Sequence, residues 1–307
     1  MALTRRVRRA GFILLGIMAL AGGAAVALHI VSQRVVLHEA CTATAGGTTV
    51  HVNLDQADNA ATISAVAARR GLPARAATIA LATALQESKL VNLNHGDRDS
   101  LGLFQQRPSQ GWGTAAEVMD PVHAANAFYD ALVKIDGYKT MDIGAAAQKV
   151  QHSGYPHGYD KHEPRARVLA STLMGYSPSA FTCAERTGSL EAQTPGPSGH
   201  TPRAQQVISA LEAAFGPSVE ARVSALVNPR ILDVRYPETE TDSRRAGWAS
   251  AQWAVARAKS LGLAGVAFDG KVWTASKSAR GWQQYKAPNG STDPVDLLRD
   301  QVRIIVR

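Results

Sequence analysis

A chain of 307 residues that is 45% hydrophobic and 19% charged has the composition of a folded protein, with room for two domains. Its formal net charge of +8 raises nucleic acid as a partner, but no nucleic-acid motif is recognisable, so no nucleic acid is expected. For an exported basic chain, anionic wall polymers are the nearer partner.

Part of the positive excess sits in Arg5, Arg6, Arg8 and Arg9, directly before an apolar run over residues 10–28. About 20 apolar residues cross a bilayer as a helix, and cationic flanks stay cytoplasmic. The expectation is a single-pass anchor in the cell membrane, with everything after Ser32 outside. The competing reading is a cleaved signal peptide, for which residues 19–25 offer small side chains. Beyond the run stand the chain's two cysteines, Cys41 and Cys183. Outside the membrane they permit one intramolecular disulfide, worth ~4 kcal/mol in the chain-entropy model; two unrelated buried thiols are the alternative.

A polar connector over residues 42–52 leads into helices. Asp55 or Asp58 suits the cap of a helix ending at Gly71, and Pro73 suits the first turn of the next, residues 74–88. Residues 91–113 are rich in Asn, Asp and Gly and predict loop and short strands. Asp120-Pro121 opens another helix, Asp142 a further one that Gly154 closes, and residues 163–174 form the last. Residues 187–202, dense in Gly, Pro, Ser and Thr, read as a flexible linker. After it, residues 231–236, 266–268, 272–274 and 302–306 are strand-like around a helix over 244–261 that Ser243 caps, an α+β pattern.

Glu87 closes the second helix and shares a face with Ala80, Thr83 and Ala84. A helix C-terminus and burial both favour the protonated form of a carboxylic acid, which is what glycoside cleavage needs in its acid. Those residues alone fit a solvated glutamate at a helix end better than a catalytic acid. The adjoining stretch of chain is more specific. Glu87-Ser88 precedes Ser100-Leu101-Gly102-Leu103-Phe104-Gln105-Gln106 and then Gly111-Trp112-Gly113. This resembles the goose-type lysozyme and soluble lytic transglycosylase family over about residues 50–180. Asn126 and the segment 148–156 leading to Tyr159 are softer matches.

The resemblance implies a mainly α lysozyme-like domain with a small β-hairpin region, acting on peptidoglycan. It implies Glu87 as acid/base, Ser100 and Gln105 lining the cleft, and Phe104, Trp112, Tyr155 and Tyr159 as candidates for sugar contact. For the aromatic residues the other reading is core packing. A hydrolase needs a second carboxylate at a set distance, whereas a lytic transglycosylase lets the muramic acid 6-hydroxyl attack. Asp97 and Asp99 read better as turn residues than as that partner. Cleavage of the β-1,4 bond between N-acetylmuramic acid and N-acetylglucosamine is therefore expected, by transglycosylation ahead of hydrolysis. A non-catalytic wall-binding or scaffold protein is the other hypothesis.

The C-terminal block carries Thr201-Pro202-Arg203, Ile231-Leu232-Asp233-Val234, Gly247-Trp248, Gly281-Trp282 and Asp300-Gln301-Val302-Arg303-Ile304. It resembles a domain of actinobacterial cell-wall proteins that is distantly related to zinc D-alanyl-D-alanine peptidases. That family holds zinc with a His, an Asp and a His of a final Asp-His-Val-His strand. Only Asp233, at the ligand Asp, and Asp300, at the first residue of that strand, match, while Leu226, Gln301 and Arg303 stand where its histidines belong. Leucine and arginine cannot bind zinc, so no metal, no cofactor and no peptidase activity are expected, and a cell-wall protein partner is. His152, His157 and His162 fit no ligand spacing and read as loop histidines. The expected fold class is thus multidomain: a basic stub and transmembrane helix (1–32), the lysozyme-like domain (33–185), a linker (186–202) and a small α+β domain (203–307).

Overall fold

Gly46 and Gly47, with φ of 55° and 76°, turn the chain back on itself and pair β1 (Ala40–Ala45) with β2 (Thr48–Val52). Positive φ at both turn positions is what a tight two-residue hairpin demands. The stretch expected as a polar connector is therefore a strand pair. In this computed structural model the described residues are 39–152, 157–216, 220–223, 229–235, 240–285 and 301–307.

Helix α1 (Leu54–Arg69) begins ahead of both expected caps, Asp55 and Asp58, which lie inside it. Asn53 caps it, and Gln56 closes the capping box. Its segment from Ala60 to Ala67 is buried on every side, because α1 packs against helices from both halves of the chain. Alanines at 57, 60, 61, 65 and 67 keep that approach close. Next come α2 (Ala74–Glu87), the short α3 (Ala115–Met119) and α4 (Pro121–Leu132). As expected, Asp120 caps α4, its carboxylate accepting from the Val122 and His123 N–H groups. Helices α5 (Ile143–Gln151) and α6 (Glu163–Leu173) complete the first half, and β3 (Phe181–Ala184) returns beside β1 to make a sheet ordered β2-β1-β3. Cys41 and Cys183 face each other in that pairing and form a disulfide.

The second half begins with α7 (Pro202–Phe215) and builds a six-stranded antiparallel sheet in the order β4-β5-β9-β6-β7-β8. Its strands are β4 (Glu220–Val223), β5 (Ile231–Arg235), β6 (Leu263–Phe268), β7 (Lys271–Thr274), β8 (Gln283–Gln284) and β9 (Gln301–Val306). Helix α8 (Glu240–Ala256), with the short α9 (Ala258–Leu261), packs between this sheet and the first half.

The expected fold class is corrected here. Residues Glu39–Arg307 form one compact mixed α/β unit with two antiparallel sheets, not a mainly α module followed by a separate α+β module. Among the described residues no helix is long and apolar enough to cross a membrane, and the apolar run 10–28 lies outside them. One buried core runs from Ile63, Ile79 and Phe128 through Phe181 to Trp248, Trp253 and Trp273.

The physical reason for the union is the outer edge of β3. A bare strand edge must satisfy its N–H and C=O groups, and here side chains of the second half take the place of another strand. Gln252 of α8 accepts from the Phe181 N–H at 2.7 Å and the Ala180 N–H at 2.8 Å. Trp282 Nε1 donates to the Phe181 carbonyl at 2.8 Å, and Trp273 Nε1 to that of Cys183 at 3.1 Å. The Ser278 hydroxyl accepts from the Glu185 N–H and donates to the Glu185 carbonyl. Gly175 tightens the same seam. A Cβ there would lie 2.0 Å from the Arg245 carbonyl oxygen of α8.

Candidate active site

Glu87 is the last residue of α2 and is half-buried. The Tyr159 hydroxyl donates to its Oε1 at 2.6 Å. Just before Glu87, Gln86 Oε1 meets His162 Nε2 at 3.0 Å. The chain segment around the 3-10 turn Asp160–His162 therefore grips the final two side chains of α2 together. Ser88, almost wholly buried, donates from its hydroxyl to the Ala84 carbonyl at 3.0 Å and to the Leu103 carbonyl at 2.7 Å. That second bond fastens the end of α2 to the segment carrying Gly102-Leu103-Phe104-Gln105.

This segment is a tight turn. Leu101 and Gln106 exchange backbone hydrogen bonds, and Gly102 bridges to Leu93. Gln151, at the end of α5, donates to the Phe104 carbonyl at 2.7 Å. Gln105, with a left-handed φ of 49°, turns its amide into its own loop and donates to the His95 and Gly102 carbonyls, each at 3.3 Å. Ser100 is 7% exposed, and its N–H donates to the Asp97 carbonyl. Gln105 and Ser100 thus belong to one wall, held in shape by bonds within the loop.

The aromatic candidates separate. Phe104 is 0% exposed and stacks on Phe128 with ring centroids 4.7 Å apart. It is a core residue, and its reading as a sugar contact is corrected, because a covered ring has no face to offer. Tyr159 is 1% exposed, so it too presents no ring; what it supplies is the hydroxyl on Glu87. Trp112 is half-buried against the core between Gly111 and Gly113, and His123 Nε2 donates to its carbonyl at 3.4 Å. Tyr155 lies outside the described residues.

The two loop aspartates differ in their partners. Asp99 is bonded to Arg107 Nε at 2.8 Å and to the Ser109 N–H at 2.8 Å, and these partners hold its carboxyl well below the usual range. Asp97 is 93% exposed at its side chain. His152 is exposed and His157 pairs with Asp160 at 3.0 Å.

In the second half, Asp233 of β5 and Arg303 of β9 are direct cross-strand partners, joined by two bonds of 2.7 and 2.9 Å. The aspartate that resembles a zinc ligand is the counter-ion of the arginine standing where another ligand belongs. These residues do not fit a zinc site. Among the described residues no group of three or more His, Cys, Asp or Glu gathers; Leu226 and Asp300 lie outside them.

Residues 196–295 match the family described as VldE, C-terminal domain. The match supports a C-terminal domain of the cell-wall-related kind and leaves the segment around Glu87 outside it. No curated protein matches the chain.

The contacts that the sequence hid are those reaching Glu87's surroundings from afar. Gln56 and Asn59 of α1 bond the backbone just after Ser88, Gln151 bonds Phe104, and His162 bonds Gln86. Gln56 is marked only as a capping-box residue and Gln151 only as part of the 148–156 match, and nothing in the sequence points either of them, or Asn59 and His162, at these partners.

Proposed function

We propose that the chain cleaves peptidoglycan glycan strands at the β-1,4 bond between N-acetylmuramic acid and N-acetylglucosamine, with Glu87 as general acid/base. The observation carrying this reading is the 2.6 Å bond from the Tyr159 hydroxyl to Glu87 Oε1, beside the Ser88 staple to the Leu103 carbonyl. A carboxylic acid fixed in direction next to a rigid loop is the arrangement that proton delivery to a glycosidic oxygen requires.

In the proposed reaction protonated Glu87 gives its proton to the leaving oxygen as the glycosidic bond breaks. An oxocarbenium-like muramyl centre forms. The carboxylate then takes the proton of the muramic acid 6-hydroxyl as that oxygen attacks, giving a 1,6-anhydro end. Attack by water instead would give a reducing end. Asp99, bonded to Arg107 and Ser109, is read as a residue that shapes its loop, and the intramolecular route is preferred because it needs no second carboxylate. An oxidising compartment outside the cytoplasm, facing the wall, is proposed from the Cys41–Cys183 disulfide. For the second half the Asp233–Arg303 pair supports a non-catalytic role in holding a wall component or wall protein.

Digestion of purified peptidoglycan tests the reading. Wild type should release anhydro-ended fragments, and Glu87→Gln should lose at least roughly 10²-fold in rate. Full activity in Glu87→Gln would sink it. Reducing ends would replace transglycosylation by hydrolysis. Stoichiometric zinc in the purified chain would overturn the non-catalytic reading of the second half.

A further inference from the structure

Lys89 and Leu90, directly after Ser88, both have left-handed φ, 56° and 61°. Residues other than glycine avoid that region because Cβ crowds the carbonyl oxygen, and two in succession are rarer still. Such a turn persists only where its surroundings hold it. Here one helix takes both carbonyls. Gln56 Nε2 donates to the Lys89 oxygen and Asn59 Nδ2 to the Leu90 oxygen, each at 2.8 Å.

Residues 56 and 59 are three apart on α1 and so share a face. Gln56 has a second task. Its Oε1 accepts the Asn53 N–H at 3.0 Å while its own N–H donates to Asn53 Oδ1 at 2.8 Å, which closes the cap of α1. The first rigid point of α1 is therefore tied directly to the turn where α2 stops. From that turn the Leu90 N–H reaches back to the Ala84 carbonyl at 3.0 Å, and Leu90 is fully buried. The turn decides where α2 ends, and its last residue is Glu87.

We infer that Gln56 and Asn59 are positioning residues for glycan cleavage, acting on Glu87 through the left-handed Lys89–Leu90 turn. The inference rests on Glu87 being the acid/base. Without the two donors, the turn relaxes toward right-handed backbone and the carboxylate leaves the Tyr159 hydroxyl.

Gln56→Glu keeps the oxygen that caps α1 and sets an acceptor where the donor to Lys89 stood. Asn59→Asp does the same at Leu90. In the full chain, assayed on soluble glycan strands stripped of stem peptides, the double variant should lose at least about tenfold in kcat with KM little changed. Lys89 is exposed, and glycine adopts left-handed φ freely, so Lys89→Gly added to Gln56→Glu should recover much of the lost kcat. A purely structural role would instead lower Tm, leave kcat intact well below Tm, and give no such recovery.

A second readout does not depend on turnover. The ¹³C carboxyl signal of Glu87, assigned by its loss in Glu87→Gln, should move in the double variant and return toward its wild-type position with Lys89→Gly. An unmoved signal, or wild-type kcat in the double variant, overturns the inference. A wild-type chain that cleaves no glycan sinks the proposed activity alone, and the carboxyl signal still decides the positioning. If the double variant does not fold, Gln56→Glu by itself carries the same readouts.

Discussion

At the scale of single residues, His162, bonded to Gln86, is a titratable group at the end of α2. Burial first, then the positive charges of Lys161 and Arg165, push its pKa below the ordinary value near 6.5. The folded chain therefore takes up this proton less readily than the unfolded chain. The stability His162 contributes is whole above pH ~6.5 and is lost as pH falls through the depressed folded value. His162→Gln, which cannot titrate, should show a shallower fall of Tm than wild type between about pH 7 and about pH 5. Parallel curves would remove His162 from the acid response. Single residues also show what a sequence can disclose. The sequence drew attention to Glu87 and Ser88 because unlike residues recur in order around them, and it gave no sign of the bond from Ser88 to the Leu103 carbonyl. Phe104 was not legible as core, because an aromatic side chain in a Gly-Leu-Phe-Gln segment suits a sugar and a hydrophobic interior equally.

At the scale of elements, Asp120 and Gly71 made two helix boundaries legible, whereas the caps Asn53, Thr114 and Thr201 did not stand out from the polar residues around them. Asp120 before Pro121 bonds the first turn of α4, and Gly71, with φ of 63°, ends the α1 segment before Pro73. The strand β3 escaped notice because four residues, Phe181–Ala184, carry no period of their own, and their outer partners lie some 70 to 100 positions away. The Leu101–Gln106 turn offers a sharp test of how close its packing is. Gly102 has φ of 76°, and a Cβ there would lie 2.6 Å from the Val118 carbonyl oxygen. Gly111, with φ of 81°, faces open space. Gly111→Ala should cost roughly 1 kcal/mol of unfolding free energy for the backbone alone. Gly102→Ala should cost more, about 2–3 kcal/mol, since backbone must also move. Equal midpoints in urea for the two variants would contradict this.

At the scale of the whole molecule, the two halves share one core and should unfold together. Trp273 spans them, its ring buried and its Nε1 on the Cys183 carbonyl. Trp273→Phe leaves that carbonyl without its donor, a loss of about 1–3 kcal/mol. Calorimetry should show a single transition moved to lower temperature; two transitions, with only one displaced, would mean that the halves melt separately. The sequence disclosed two compositional blocks and a polar stretch between them, which suggested a tether. It did not disclose that Gln252, Trp273, Ser278 and Trp282 complete a strand in the other block, because side-chain-to-backbone bonds across such distances leave no periodic trace.

The placement of the disulfide has a consequence for how the protein survives proteases. Cys41 and Cys183 enclose nearly every element of the first half, Glu87 included, at a separation of 142 residues. A protease that severs one exposed loop inside that span leaves both pieces covalently joined, so a nicked chain keeps its mass and migrates intact until a thiol reductant parts the fragments.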